Sequence, residues 1–112
     1  MSVVLNEVDA GVRTITLNRP ARLNAMNAAL LEATHNAFAA AIEDDHTRVI
    51  VFTGAGSAFC AGDDLVENPA PRNEAQARAF VDAIQAISRE IVLGRKVVVG
   101  AVNGWAVGGG FE

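Results

Sequence analysis

The stretch Gly54-Ala55-Gly56-Ser57-Ala58-Phe59-Cys60-Ala61-Gly62-Asp63-Asp64-Leu65 decides how this chain is read. It follows Arg48-Val49-Ile50-Val51-Phe52-Thr53, a short β-branched run bounded by Gly54, which predicts a strand buried on both faces. In open α/β sheets, ligands bind at the carboxyl ends of strands, where loops present backbone groups. Glycine lets a backbone approach a ligand closely, so a loop of this kind can aim N–H groups at one oxygen atom. A second such segment, Ala101-Val102-Asn103-Gly104-Trp105-Ala106-Val107-Gly108-Gly109-Gly110-Phe111-Glu112, ends another apolar run, Lys96 to Val102, read as a second buried strand. Two N–H groups converging on one oxygen make an oxyanion hole, in which one preorganised donor is worth about 3 kcal/mol of transition-state stabilisation.

Outward from these loops the pattern is regular. Val3 to Val8 and Val12 to Leu17 have short apolar periods around the turn Asp9-Ala10-Gly11 and predict an opening β-hairpin. Asn18-Arg19-Pro20 breaks that pattern, because proline lacks the N–H of a ladder, and a loop runs on to about Asn27. From Asn27 to Asp44 the residues Leu30, Leu31, Thr34, Phe38, Ala41 and Ile42 fall at helical spacing, with Asn27 as N-cap. After Pro69 and Pro71 a second helix is expected from about Glu74 to Leu93, its stripe formed by Ala77, Phe80, Val81, Ile84, Ile87 and Ile91. Gly94 reads as its C-cap, with Arg95 and Lys96 near the negative end of its dipole. Strand, glycine-rich loop and helix thus occur twice, with no linker or low-complexity tract between.

The bulk properties fit one domain. The chain has 112 residues, 51% of them apolar and 20% charged, spread along its whole length, so disorder is not expected. A formal net charge of -4 leaves no basic surface for nucleic acid. A single cysteine, Cys60, allows no intrachain disulfide, and a reducing compartment fits. The N-terminal MSVVLNEVDAG has no basic leader with a long apolar run, and no run of about 18 apolar residues exists to span a bilayer. A cytoplasmic protein without membrane contact is the expectation.

The strings Ala58 to Leu65 and Ala101 to Glu112 resemble the two signatures of the enoyl-CoA hydratase/isomerase (crotonase) family. Asn18-Arg19-Pro20-Ala21-Arg22-Leu23-Asn24-Ala25-Met26 resembles that family's segment between opening hairpin and first helix. Three motifs in the right order, spread over the chain, carry the resemblance. It implies a crotonase-like α/β fold, a right-handed superhelix of repeated ββα units. Residues 1–112 would be the N-terminal portion of a single acyl-CoA-binding domain.

By position, the resemblance puts the two oxyanion donors on the N–H groups of Asp63 and Gly109, the oxygen being that of a thioester carbonyl, with the Asp63 side chain incidental. Ala61, Asp64, Leu65 and Val66 would line the acyl-CoA face, and Arg22 and Leu23 would lie along the CoA moiety. Many family members carry a lysine at the place of Val66 to meet CoA phosphates, which this chain lacks. Glu112 matches the first of two glutamates that act on the added water in family hydratases; the second would lie further along. The implied activity is hydration of a trans-2-enoyl-CoA, with isomerisation next, or acyl-CoA binding without turnover. Coenzyme A would enter as part of the substrate, with no other cofactor and no metal. Homotrimers or dimers of trimers would be the assembly of a complete protein, and the 112 residues by themselves would be inactive as a hydratase.

Plainer readings stand beside these. Gly54-Ala55-Gly56 could open a dinucleotide fingerprint, but Phe59 replaces the third glycine and no helical pattern begins until well after Leu65. Gly54 to Gly62 could be only a turn-rich connection, Gly108 to Gly110 a close strand-to-helix contact, and Glu112 an ordinary carboxylate at a helix start. Cys60 reads as a small buried residue with no base beside it, His35 and His46 have no metal-ligand spacing, Trp105 serves packing or an acyl pocket, and Asp44-Asp45 reads as a solvated helix end.

Overall fold

Two residues with positive φ, Ala10 (51°) and Gly11 (85°), turn the chain between β1 (Val4–Asp9) and β2 (Val12–Leu17). Positive φ at both positions gives a turn whose twist matches that of the flanking strands, and the pair runs antiparallel in register from Val4 with Leu17 to Asp9 with Val12. The computed structural model describes residues 2–68 and 72–112, so the helix breakers Pro69 and Pro71 lie outside the described residues.

Helix α1 (Ala28–Glu43) begins where expected, its Leu30 N–H donating to the Asn27 side chain at 2.8 Å. Its buried face carries Leu30, Leu31, Thr34, Phe38, Ala41 and Ile42, and it returns the chain so that β3 (Val49–Gly54) lies parallel to β2. Helix α2 (Glu74–Leu93) starts with a reciprocal cap between Asn73 and Gln76 and returns the chain to β5 (Val97–Gly100), parallel to β3. The main sheet therefore has the order β1-β2-β3-β5. Phe52 of β3 joins Phe38 and Phe59 through edge-to-face ring contacts at 4.9 and 5.2 Å, which ties sheet, α1 and first loop into one core with Ile15 and Ile50.

Several expectations need correction. Lys96 to Val102 is not a strand buried on both faces: the strand is limited to β5, which among the described residues pairs on one side only, and Val97 and Val99 are exposed. Strand β3 is mostly half-buried, with Ile50 its fully buried residue. Lys96 and Arg95 serve the end of α1 rather than that of α2: Lys96 Nζ donates to the carbonyls of Ala41, at 2.8 Å, and Asp44, and Arg95 pairs with Glu43. Gly94 does cap α2 as expected, its N–H donating to the Glu90 carbonyl at 3.1 Å, and a side chain there would collide with Glu90 and Ile42. Of the α2 stripe, Ala77 and Val81 stay exposed, and Ile87 alone is fully buried. Asp44 is not simply solvated. Its carboxylate accepts from Thr47 at 2.7 Å and Arg13 at 2.5 Å, and from the His46 N–H, contacts that hold its pKa far below the usual carboxylate range. Finally, the two glycine-rich loops contain short strands, β4 (Ala58–Cys60) and β6 (Trp105–Ala106), which pair in parallel as a second sheet. No described helix is long and apolar enough to cross a membrane.

Phe38 is fully buried at the meeting of α1, β3 and the first loop. Phe38→Ala is expected to cost about 3–5 kcal/mol, measured as a lowered urea midpoint with unchanged slope.

Candidate active site

The segment Leu23–Met26 is laced to the end of β4. Ala61 N donates to Leu23 O at 3.0 Å, Met26 N to Gly62 O at 2.6 Å and Asp64 N to Met26 O at 3.0 Å. The last two bonds form a parallel bridge between Met26 and Asp63. Successive N–H groups along an extended chain alternate in direction, so the N–H of Asp63 itself points away from Met26. The buried Asn24 amide secures the same region, accepting from Arg19 N at 2.7 Å and donating to Ala55 O at 3.0 Å and Ala58 O at 2.9 Å.

The second loop is seated on the first. Val107 N donates to Cys60 O at 3.0 Å, and Asn103 Nδ2 donates to Gly56 O at 3.0 Å and Ala58 O at 3.1 Å. Gly62, at φ 94°, faces Val107 so closely that a Cβ would stand 2.7 Å from the Val107 carbonyl and 3.8 Å from Gly109 N. A 3-10 turn spans Gly108–Gly110, and its first internal bond runs from Gly110 N to Val107 O, leaving the Gly109 N–H outside the turn's ladder. The Asp63 and Gly109 amides thus belong to adjoining loop ends of the β4–β6 sheet.

Other expected site residues distribute unevenly. Leu65 and Val66 are exposed, as is Leu23, and Ala61 is half-buried. Asp64 does not offer its side chain to a ligand face: the carboxylate is buried, receives the N–H groups of Glu67 and Val66, and pairs with Arg19 and Arg22, each at 3.1 Å. The Glu67 N–H above all, then the guanidinium of Arg19, lowers its pKa from the usual value in spite of burial. Arg22 spends one guanidinium nitrogen on that pair and keeps part of its side chain in solvent. Nor is the Asp63 side chain idle, since it pairs with Arg72. Glu112 is exposed, and with Gly109 it borders an apolar cavity of about 350 Å³ against Ile84 and Ile87 of α2. Gly109 thus belongs to the cavity's lining, whereas Asp63 lies outside it. Trp105 is exposed on β6, while burial pushes the Cys60 thiol up and removes it as a nucleophile.

Sequence reasoning missed Asn24, Asn103, Arg19 and Arg72. Asn24 stands as one polar residue between Leu23 and Ala25, which is a signal for a buried amide. Nothing local marks Arg72 as a partner of Asp63.

A four-stranded sheet backed by two helices, with two glycine-rich strand-end loops joined through a short second sheet, defines the crotonase-like class of α/β proteins. Residues 7–112 match the family model described as enoyl-CoA hydratase/isomerase. The chain is 40% identical over 105 residues to a probable enoyl-CoA hydratase of Mycobacterium leprae (strain TN), which covers 91% of this chain and 40% of that protein. It is 36% identical over 116 residues to the 1,2-epoxyphenylacetyl-CoA isomerase of Escherichia coli (strain K12), covering 98% and 43%. Among solved structures, the enoyl-CoA hydratase from Bacillus anthracis superposes with a TM-score of 0.89 at 38% identity, covering 96% of this chain and 42% of that one. The chain belongs to the enoyl-CoA hydratase/isomerase family and spans about two fifths of the length of these relatives.

Asp64→Ala removes the inner carboxylate of Arg19, which keeps Glu67 as a partner, and is expected to cost about 1–3 kcal/mol at neutral pH. The folded carboxyl titrates below the ordinary 3.8, so its contribution is full above that value and is lost as the pH falls below it. The gap between wild type and variant in urea unfolding should therefore stay constant from about pH 7 down to about pH 4 and narrow as the pH falls further.

Proposed function

We propose that this chain contributes the thioester-holding part of an enoyl-CoA hydratase site. In this reading the Asp63 and Gly109 N–H groups hold the carbonyl oxygen of a trans-2-enoyl-CoA as negative charge develops on it. Preorganised N–H donors stabilise the enolate because they need no reorientation during reaction. The carboxylate of Glu112 handles a proton of the water that adds across the double bond. The observation that carries the reading is the bridge at Met26: it turns the Asp63 N–H outward, beside the loop whose Gly109 N–H has no partner in its own turn.

Arg22 and Leu23, with Ala61, Leu65 and Val66, form the face along which the CoA moiety would lie. An isomerase reading has one specific support, the 36% identity to an enzyme named as a CoA-ester isomerase. An oxyanion hole serves both reactions, since each passes through a thioester enolate.

The test follows the enone absorbance of a short trans-2-enoyl-CoA with the protein and with Glu112→Gln. Loss of a general acid or base is expected to slow hydration by about 10²–10⁴-fold with little change in binding. Turnover indifferent to the substitution would remove Glu112 from the chemistry. Binding of the thioester with no turnover in the unsubstituted protein would favour a non-catalytic acyl-CoA-binding role.

A further inference from the structure

Asp63 carries a carboxylate on the residue whose N–H is proposed to face the thioester oxygen. Covalent geometry keeps that carboxylate a few ångströms from the N–H, so a bare negative charge there would oppose the charge developing on the oxygen. The carboxylate is not bare. Arg72 Nη2 forms an ion pair with Asp63 Oδ2, and Asn68 Nδ2 donates to Oδ1 at 2.9 Å. Arg72 is fixed from two further sides, donating to Asn68 O at 3.1 Å and lying 4.8 Å from the centre of the Phe80 ring on α2. Both partners are largely covered, with side-chain exposures of 20% for Arg72 and 27% for Asp63, which sets the pair apart from solvated surface bridges. Asn68 Nδ2 also reaches Met26 O at 3.0 Å, the carbonyl that receives the Asp64 N–H.

We propose that Arg72 is a positioning residue for thioester chemistry: it cancels the charge of the Asp63 carboxylate beside the oxyanion donor and ties that donor's loop to α2. The proposal rests on the reading of the Asp63 N–H as an oxyanion donor. It assigns a task to a side chain outside the glycine-rich motifs and makes the neighbouring carboxylate tolerable.

The test uses 4-dimethylaminocinnamoyl-CoA, a conjugated thioester whose absorption moves to the red when its carbonyl is polarised, so that no turnover is needed. The unsubstituted protein is expected to red-shift the bound probe. Arg72→Gln should reduce that shift and weaken binding roughly tenfold, about the effect of one pKa unit of lost interaction. Arg72→Lys, which keeps the charge, should retain most of the shift. Combining Arg72→Gln with Asp63→Asn should restore what Arg72→Gln alone loses, whereas a merely structural role would leave the double variant as impaired as the single one and overturn the proposal. A full shift in Arg72→Gln would overturn it as well. If Arg72→Gln does not fold by circular dichroism, Asp63→Asn alone decides: a shift at least as large as the parent's supports charge cancellation, and a smaller one refutes it. A parent protein that binds without a red shift, or does not bind, refutes the oxyanion reading and the proposal with it, a signature distinct from a parent shift that survives Arg72→Gln.

Discussion

Asn24 is the tie on which the arrangement of the site depends. Its fully buried amide receives one N–H and gives two, so the loop after β2, the turn after β3 and the start of β4 are held at one point. The Ala58 carbonyl takes a second bond from Asn103, so amides from both flanking segments meet on one oxygen. A buried amide left without partners costs about 1–3 kcal/mol for each group stranded, so these loops move together or not at all. Backbone donors borne on such loops are held by side-chain hydrogen bonds rather than by long ladders, because β4 and β6 have only three and two residues.

Two adjacent acids, Asp63 and Asp64, show how one extended segment is clamped from opposite sides. Successive side chains of an extended chain point to opposite faces. Asp64 accordingly turns inward to Arg19 and Arg22, whereas Asp63 turns toward Arg72 and α2. Glu67, which takes another hydrogen bond from Arg19, also accepts from Asn27 at the start of α1. Asp63, Asp64 and Glu67 therefore tie the chain that follows β4 to Arg19 and Arg22, to the start of α1 and, through Arg72, to Phe80 of α2.

Much of the fold was legible in local pattern. The hairpin and its turn, the Asn27 cap of α1 and the full span of α2 follow from period, turn chemistry and capping residues, which are short-range properties. The β4–β6 sheet was not legible, because strands this short have no period and exist only by pairing across more than forty residues of chain. The exposure of Val97 and Val99 on β5 escaped for a related reason: an apolar run reads alike whether one face or both are covered. In the candidate site, the glycine pattern marked both loops, whose short strands pair in the second sheet. The direction of the Asp64 carboxylate and the Arg72 partner of Asp63 depend on how distant segments meet, which no local spacing encodes. Lys96 shows the same limit, adjoining α2 in sequence while satisfying carbonyls at the end of α1 in space.

Leu23 adopts φ 53°, and Asn24 follows at 56°. Asparagine tolerates the left-handed region well, but a leucine held there costs about 1–2 kcal/mol relative to glycine. A residue better suited to this backbone would lack the half-exposed apolar side chain that Leu23 presents beside Arg22. Thermal robustness and surface shape therefore select opposite residues at this position. A search for stabilising substitutions would return glycine here first, and it would be choosing against the contour of the proposed ligand face.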